Sequence, residues 1–433
     1  MGLNPNSLKN TSAYKILSSF FDDGVFSEID SLLSSKDGYA EAITAFGTVD
    51  GVPCYAFAQN SDVSKGAMSK AQSKKITRLY DMAKTTGAPI VAFYDSIGGN
   101  LSDGCDILSS YGEVLKKSIE LSGIVPQISV VLGTCLGTSA LTAVCSDFLI
   151  MKKDATLSVD TLGTNADAEY NFKNGVANTI CDSDEECIEK AKKFLSYFPS
   201  NNLEQSPIYS DFSESTDDGK CMAHFLADED STFGFNKGLS KDVGTAFGRI
   251  GGMTVGFVTT KGTDIDENAT KKIVKMVSFC DAFSIPIVTT LNAKAFTTLE
   301  YAKKVACAYA EATTAKISVI SGEAYGAAYI ALSGACANSD IVFALDNAVV
   351  SPISPKAAAY VLDNEKLSVP VSEQEQIAND FVSSKLNAEN AAEFGLIDEV
   401  VEKSQLRNKV ISALNMLVSK RVSTLPKKHN TIY

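Results

Sequence analysis

The 433-residue sequence contains no tryptophan and only two histidines, His224 and His429. Scarcity of histidine narrows the chemistry, because imidazole is the side chain that titrates near neutrality and most often serves as general acid or base. Basic residues are also in deficit: 39 Lys and Arg stand against 52 Asp and Glu, a formal net charge of -13. A nucleic-acid-binding surface needs a clustered cationic excess to displace counterions, so no nucleic-acid partner is expected. The ten cysteines, Cys54, Cys105, Cys135, Cys145, Cys181, Cys187, Cys221, Cys280, Cys307 and Cys336, include no Cys-x-x-Cys pair. That scatter predicts buried, reduced thiols in a cytoplasmic protein and no metal site. The opening MGLNPNSLKN has no basic region ahead of an apolar run, so no secretory signal is expected. The longest apolar stretch, Ile128 to Cys145, is interrupted by Gly133, Gly137 and Ser139 and reads as strand, turn and helix rather than a bilayer span.

What the chain does have is an internal repeat. Phe46-Gly-Thr-Val-Asp-Gly-Val is echoed by Phe247-Gly-Arg-Ile-Gly-Gly-Met, each placing a two-residue Asp-Gly or Gly-Gly turn inside alternating apolar residues, the signature of a hairpin with a primed turn. Lys74-Lys-Ile and Lys271-Lys-Ile follow on predicted helices, and Pro89-Ile-Val and Pro286-Ile-Val open the next strands at the same spacing. Further on, Ile128-Ser-Val-Val-Leu-Gly matches Ile317-Ser-Val-Ile-Ser-Gly, and Ser146-Asp-Phe matches Ser339-Asp-Ile. A chain of this length is expected to form two domains of roughly 200 residues. Each unit reads as strand, strand, helix, strand, helix, strand, an α/β pattern. The boundary is expected in the Asp-, Ser- and Gly-rich stretch 205–244, dividing the chain into 1–235 and 236–433.

Candidate chemistry concentrates where a Val-rich strand runs through glycine into a small-residue helix, at Val131-Leu-Gly-Thr-Cys-Leu-Gly-Thr-Ser-Ala and Val319-Ile-Ser-Gly-Glu-Ala-Tyr-Gly-Ala-Ala. The first amides of a helix have no internal partner and can hold an oxyanion. A second turn, Asp95-Ser-Ile-Gly-Gly-Asn, is predicted at the same edge of the sheet. Lys65, Lys70, Lys74, Lys75 and Arg78 lie along one helix at near-turn spacing, either as cations for phosphates or as a solvated face. A hydrolase using Ser139 or Ser96 would need a base that the two histidines poorly supply.

Several segments resemble the carboxyltransferase subunits of propionyl-CoA and acetyl-CoA carboxylases and of methylmalonyl-CoA decarboxylases. They are Phe21-Asp-Asp-Gly-Val-Phe-Ser-Glu-Ile-Asp, Pro126-Gln-Ile-Ser, Cys181-Asp-Ser-Asp-Glu-Glu-Cys-Ile through Leu195-Ser-Tyr-Phe-Pro-Ser-Asn-Asn-Leu203, and Lys420-Arg-Val-Ser-Thr-Leu-Pro-Lys-Lys-His429. The resemblance implies two tandem crotonase-like (ClpP/crotonase superfamily) ββα-spiral domains, an N-terminal acyl-CoA domain and a C-terminal biotin domain. It implies exchange of CO2 between biotin, carried on a biotin carboxyl carrier protein, and a short-chain coenzyme A thioester, with biotin itself taking the α-proton. A biotin carboxylase subunit is a further implied partner, as is a homo-oligomer, expected to be a hexamer, or a mixed oligomer with a paralogue. No side-chain base is required, since fixed amides stabilise the developing oxyanions.

Carried onto this sequence, the resemblance assigns the amides of Gly137 and Thr138 to the thioester oxygen and those of Ala327 and Ala328 to the biotin ureido oxygen. Gly98, Gly99, Lys65, Lys70 and Arg78 fall to acyl-CoA, Ile330 to the acyl pocket, and Asn292, Phe296, Tyr325 and Gly326 to the biotin pocket. Departures are visible too. Ile97-Gly98-Gly99-Asn100 stands where relatives carry Gly-Gly-Ala-Arg, and Asn292-Ala-Lys-Ala-Phe296 replaces Asp-x-Pro-Gly-Phe. Gly163-Thr-Asn-Ala-Asp-Ala-Glu-Tyr and Gly175-Val-Ala-Asn178 lack the family's two histidines. These changes raise the alternative of a non-catalytic scaffold subunit.

Overall fold

The computed structural model describes residues 5–35, 38–160, 165–214, 221–354, 357 and 371–422. Gly163, the Asp/Ser/Gly stretch at 215–219 and the tail bearing His429 lie outside the described residues. Two compact units emerge, one of residues 1–207 with 236–239 and the other of 208–235 with 240–433.

The first unit is built from β1 (Phe26–Ile29), β2 (Ala42–Val49), β3 (Val52–Gln59), α1 (Lys70–Thr86), β4 (Ile90–Ser96), α2 (Asp106–Leu121), β5 (Gln127–Leu136), α3 (Thr138–Val144), β6 (Phe148–Lys152), β7 (Thr156–Ser158), α4 (Ala168–Lys173), β8 (Thr179–Cys181) and α5 (Asp184–Leu195). Its eight-stranded sheet runs β1-β2-β3-β4-β5-β6-β8, with β7 also on β5. β1 to β3 pair antiparallel, and from β3 onward the pairing is parallel. The expected strand, turn and helix over Ile128 to Cys145 is the end of β5 and α3. Among the described residues no helix is long and apolar enough to cross a membrane.

The second unit repeats the path with β9 (Phe233–Gly234), β10 (Val243–Ile250), β11 (Met253–Thr260), α6 (Glu267–Ala282), β12 (Ile287–Ala293), α7 (Leu299–Glu311), β13 (Lys316–Tyr325), α8 (Gly326–Leu332), β14 (Ile341–Ala344), β15 (Val349–Ser351), α9 (Ala388–Glu393), β16 (Glu399–Val400) and α10 (Lys403–Leu417). Its sheet runs β9-β10-β11-β12-β13-β14-β16, with β15 on β13. Strand for strand this is the first sheet again.

The hairpins show why. Asp50 and Gly51, and Gly251 and Gly252, all have positive φ, the backbone that a primed two-residue turn requires. Each turn is clamped by one upstream carboxylate: Asp22 accepts the amides of Asp50 and Gly51, both at 2.9 Å, and Asp228 accepts those of Gly251 and Gly252, both at 2.8 Å. The Gly51 amide is the main reason Asp22 titrates below an ordinary aspartate. Asp228 is 3% exposed and also receives the guanidinium of buried Arg407 from α10. Asp228 and β9 carry the clamp and edge strand of the second repeat, as Asp22 and β1 do for the first.

In the first unit, Ile90, Ala92 and Tyr94 of β4, with Val131 and Met151, pack against Ile76, Leu79 and Tyr80 of α1 and Tyr111 and Val114 of α2. The opposite face is also covered: Phe93 meets Phe20 at 5.3 Å and Phe148 stacks on Phe194 of α5 at 4.2 Å. Burial on both faces is what makes these strands read as continuous apolar runs. In the second unit Val255, Phe257, Val288, Val319 and Phe343 pack with Leu406, Val410 and Leu414 of α10. All ten cysteines are free; Cys54, Cys135, Cys181, Cys187 and Cys280 are buried as expected, whereas Cys105 is exposed.

Candidate functional site

At the carboxyl end of the parallel strands of each sheet the two units carry the same local device. β4 and β5 lose register between Tyr94 and Ser96, and the Asp95 carboxylate there accepts the Thr134 amide at 3.0 Å. β12 and β13 lose register between Leu291 and Ala293, and Asn292 Oδ1 accepts the Glu323 amide at 3.1 Å. A glycine beneath each side chain makes room: a Cβ on Gly133 would lie 2.3 Å from Asp95 Oδ1, and one on Gly322 would lie 2.7 Å from Asn292 Cγ. Asn292 is therefore the second-unit counterpart of Asp95, and its Oδ1 is engaged by the bulge.

Beyond the bulge each strand turns into a helix through a glycine of positive φ, Gly137 at 65° and Gly326 at 45°. The Gly137 amide donates to the Ser158 carbonyl at 2.9 Å, extending the β5–β7 ladder. That overturns its expected exposure to a ligand; the amides the helix leaves unpaired begin one residue later, at Thr138. In the second unit α8 begins at Gly326, so Ala327 and Ala328 lie in its first turn, Ala327 exposed and Ala328 buried.

The loops after β4 and β12 are strapped alike. Met68 donates to the Gly98 carbonyl and accepts from the Asn100 amide, both at 2.8 Å, while Ile265 donates to Ala295 at 2.9 Å and accepts from Thr297 at 3.0 Å. The 292–296 loop holds this path without the proline and glycine that the resemblance led us to expect, with Phe296 bridged to Ile265. Gly99 sits over α2, where a Cβ would meet Ile107 Cγ1 at 3.0 Å and Tyr111 Cε2 at 3.3 Å. Tyr111 in turn shares a hydrogen bond of 3.0 Å with Ser139 Oγ in the first turn of α3. Burial pushes the Tyr111 phenol up to about 12, so Ser139 faces a protonated partner and not a base. This removes the support for a serine nucleophile there. Ser96 is likewise fully buried, its hydroxyl spent on the Gly98 backbone.

The expected cations do not converge. Lys70 pairs with Asp106 at 2.7 Å, Arg78 pairs with Asp30, and Lys75 is buried. Lys65 is exposed, at φ 52° in the turn before α1, and its carbonyl accepts from Ile97 at 3.3 Å. Ile330 lies on α8 at 52% exposure rather than in an enclosed pocket of its own unit. Tyr325 is buried, its phenol donating to Glu323 Oε1 at 2.6 Å. Asn178, where the resemblance led us to expect a histidine, accepts the Leu149 amide at 2.7 Å and donates to Asn236, a structural use. Sequence reading missed Tyr111, which sits in no motif, and gave no role to Glu323 although it stands inside the second strand-to-helix run; only the fold shows what each contacts at the turns.

Two spiral units, each with an amide-bearing turn and small side chains at the carboxyl edge of its sheet, define a pair of crotonase-like domains suited to thioester chemistry. The model of the carboxyl transferase domain matches residues 11–432, and the chain belongs to that family. Its members are acyl-CoA carboxyltransferases, and the chain is an enzyme of this class. It is 29% identical to methylmalonyl-CoA decarboxylase subunit alpha of Propionigenium modestum, over 97% of this chain and 93% of that one. It is 30% identical to the propionyl-CoA carboxylase beta chain of Roseobacter denitrificans, over 95% and 91%. The solved structure of the transcarboxylase 12S hexamer with methylmalonyl-coenzyme A and methylmalonic acid bound superposes with a TM-score of 0.88 at 27% identity, covering 99% of this chain and 94% of that one.

Proposed function

We propose that the chain moves a carboxyl group between the ureido nitrogen of biotin on a carrier protein and the α-carbon of a short-chain acyl-CoA of the propionyl/methylmalonyl type. In one direction the C–C bond to the carboxyl group breaks, the ureido N–H proton passes to the α-carbon, and an N–C bond forms; the reverse runs the same steps backward. Both halves develop negative charge on an oxygen, on the thioester and on the ureido group. Thr138 and Ser139 supply amides for the first, Ala327 and Ala328 for the second, with no side-chain base. The residues of the second turn fit a flat, neutral ureido ring, since nothing larger than a methyl group stands at Gly326, Ala327 or Ala328. The carrier protein, a biotin carboxylase subunit, a hexameric assembly and a cytoplasmic setting belong to the same reading.

The observation that carries it is the family match along residues 11–432 on a chain whose two units keep the same bulge and turn. Purified protein given methylmalonyl-CoA or malonyl-CoA and free biotin is expected to produce the decarboxylated thioester faster than without biotin. Equal rates with and without biotin would overturn the reading.

A further inference from the structure

We propose that Lys294, held by Glu323 and through it by Tyr325, is the charge-recognition residue for the carboxyl group carried on the ureido ring, an inference that rests on the carboxyltransferase reading above. The matching bulges align the two units residue by residue at this edge. Lys294, Glu323 and Tyr325 of the second correspond to Ile97, Thr134 and Leu136 of the first. Three positions with no charge in one repeat have become a linked polar chain in the other.

The linkage is specific. Asn292 pins the Glu323 backbone through its amide, and Tyr325, 4% exposed, donates to Glu323 Oε1 at 2.6 Å. That fixes the carboxylate, whose second oxygen meets Lys294 Nζ at 3.3 Å. The Lys294 side chain is 52% exposed and that of Glu323 38%. An ion pair so open contributes at most about 1 kcal/mol to stability, which does not account for a buried phenol dedicated to orienting it. An ammonium has three donors, and one carboxylate contact leaves capacity for another anion. The group exchanged is an anion whenever it sits on the ureido nitrogen, so a cation at the crest of this loop recognises the loaded state and Glu323 and Tyr325 act as its positioning residues.

The test combines footprinting with kinetics. Reductive methylation of the intact protein, read by mass spectrometry, should show Lys294 protected several-fold by biotinamide and malonyl-CoA together, which load the ring, and not by either alone, with Lys271 unaffected throughout. In transfer from malonyl-CoA to biotinamide, Lys294→Met should lower kcat/KM for biotinamide about 10- to 100-fold, the effect of one charge-assisted hydrogen bond. The KM for malonyl-CoA should stay within about twofold, and Lys294→Arg should recover most of the rate. Wild-type protein that transfers nothing would sink the carboxyltransferase reading and this proposal with it. Wild-type transfer with Lys294→Met unchanged, absence of protection by the two substrates together, or equal protection by malonyl-CoA alone would overturn this proposal and leave the reading standing.

Discussion

Substituting Gly133 by alanine tests whether the Asp95 bulge sets the geometry of the first turn. The added Cβ would lie 2.3 Å from Asp95 Oδ1 and 2.7 Å from Cγ. Carbon and oxygen rest at about 3.5 Å, so the carboxylate must withdraw by roughly 1 Å. Its 3.0 Å bond to the Thr134 amide then passes out of hydrogen-bond range. Losing a bond to a charged acceptor costs about 1.5 to 3 kcal/mol. Because Thr134 is three residues ahead of the glycine turn, the shift carries to Thr138, and a displacement of this size can lower a rate by about 100-fold. Gly322→Ala, against the neutral Asn292, should cost less, about 0.5 to 1.5 kcal/mol. Urea unfolding followed by circular dichroism gives the stabilities, and carboxyl transfer to biotin gives the rates. The decisive measurement is Gly133→Ala in an Asp95→Ala background. With the carboxylate gone the methyl group has room, and the further cost should fall below about 0.5 kcal/mol. An undiminished cost in that background would refute the bulge as the cause.

Asp228→Ala leaves Arg407 buried against, among the described residues, only the exposed Glu214 and frees two turn amides, so it should destabilise the second unit by about 3 to 5 kcal/mol, measurable by urea unfolding. Burial lowers the Lys75 ammonium from 10.5 to about 8, although Glu28, Asp30 and Glu41 oppose the shift. Between those values the unfolded chain holds a proton that the folded one has lost, so stability should rise with pH from about 8 to 10.5. Lys316 acts in the same sense, so Lys75→Met should flatten the rise in a pH series of melting curves without abolishing it. Tyr111→Phe and Ser139→Ala each break one shared bond, so their effects on transfer should not add in the double variant. Ser139 should resist labelling by an organophosphate probe, since its partner is a protonated phenol.

The repeat was legible in the sequence because its carriers are local. Asp50-Gly51 and Gly251-Gly252 fix primed turns by backbone sterics alone, and Pro-Ile-Val runs mark strands whose two faces are both buried. The Gly137 and Gly326 turns could be read for the same reason, since a strand that must bend sharply into a helix needs glycine there. What chain-local signals could not carry was commitment of groups across the fold. Whether the Gly137 amide is free depends on Ser158, and whether Lys70 and Arg78 can meet a phosphate depends on Asp106 and Asp30. That Asn292 is the counterpart of Asp95 shows only in its bond to the Glu323 amide. The sequence by itself determined the duplicated α/β plan and the two turns. Only the tertiary structure decided which donors and charges at those turns are already spent, because hydrogen-bond and ion-pair partners are chosen by proximity in space and not by spacing along the chain.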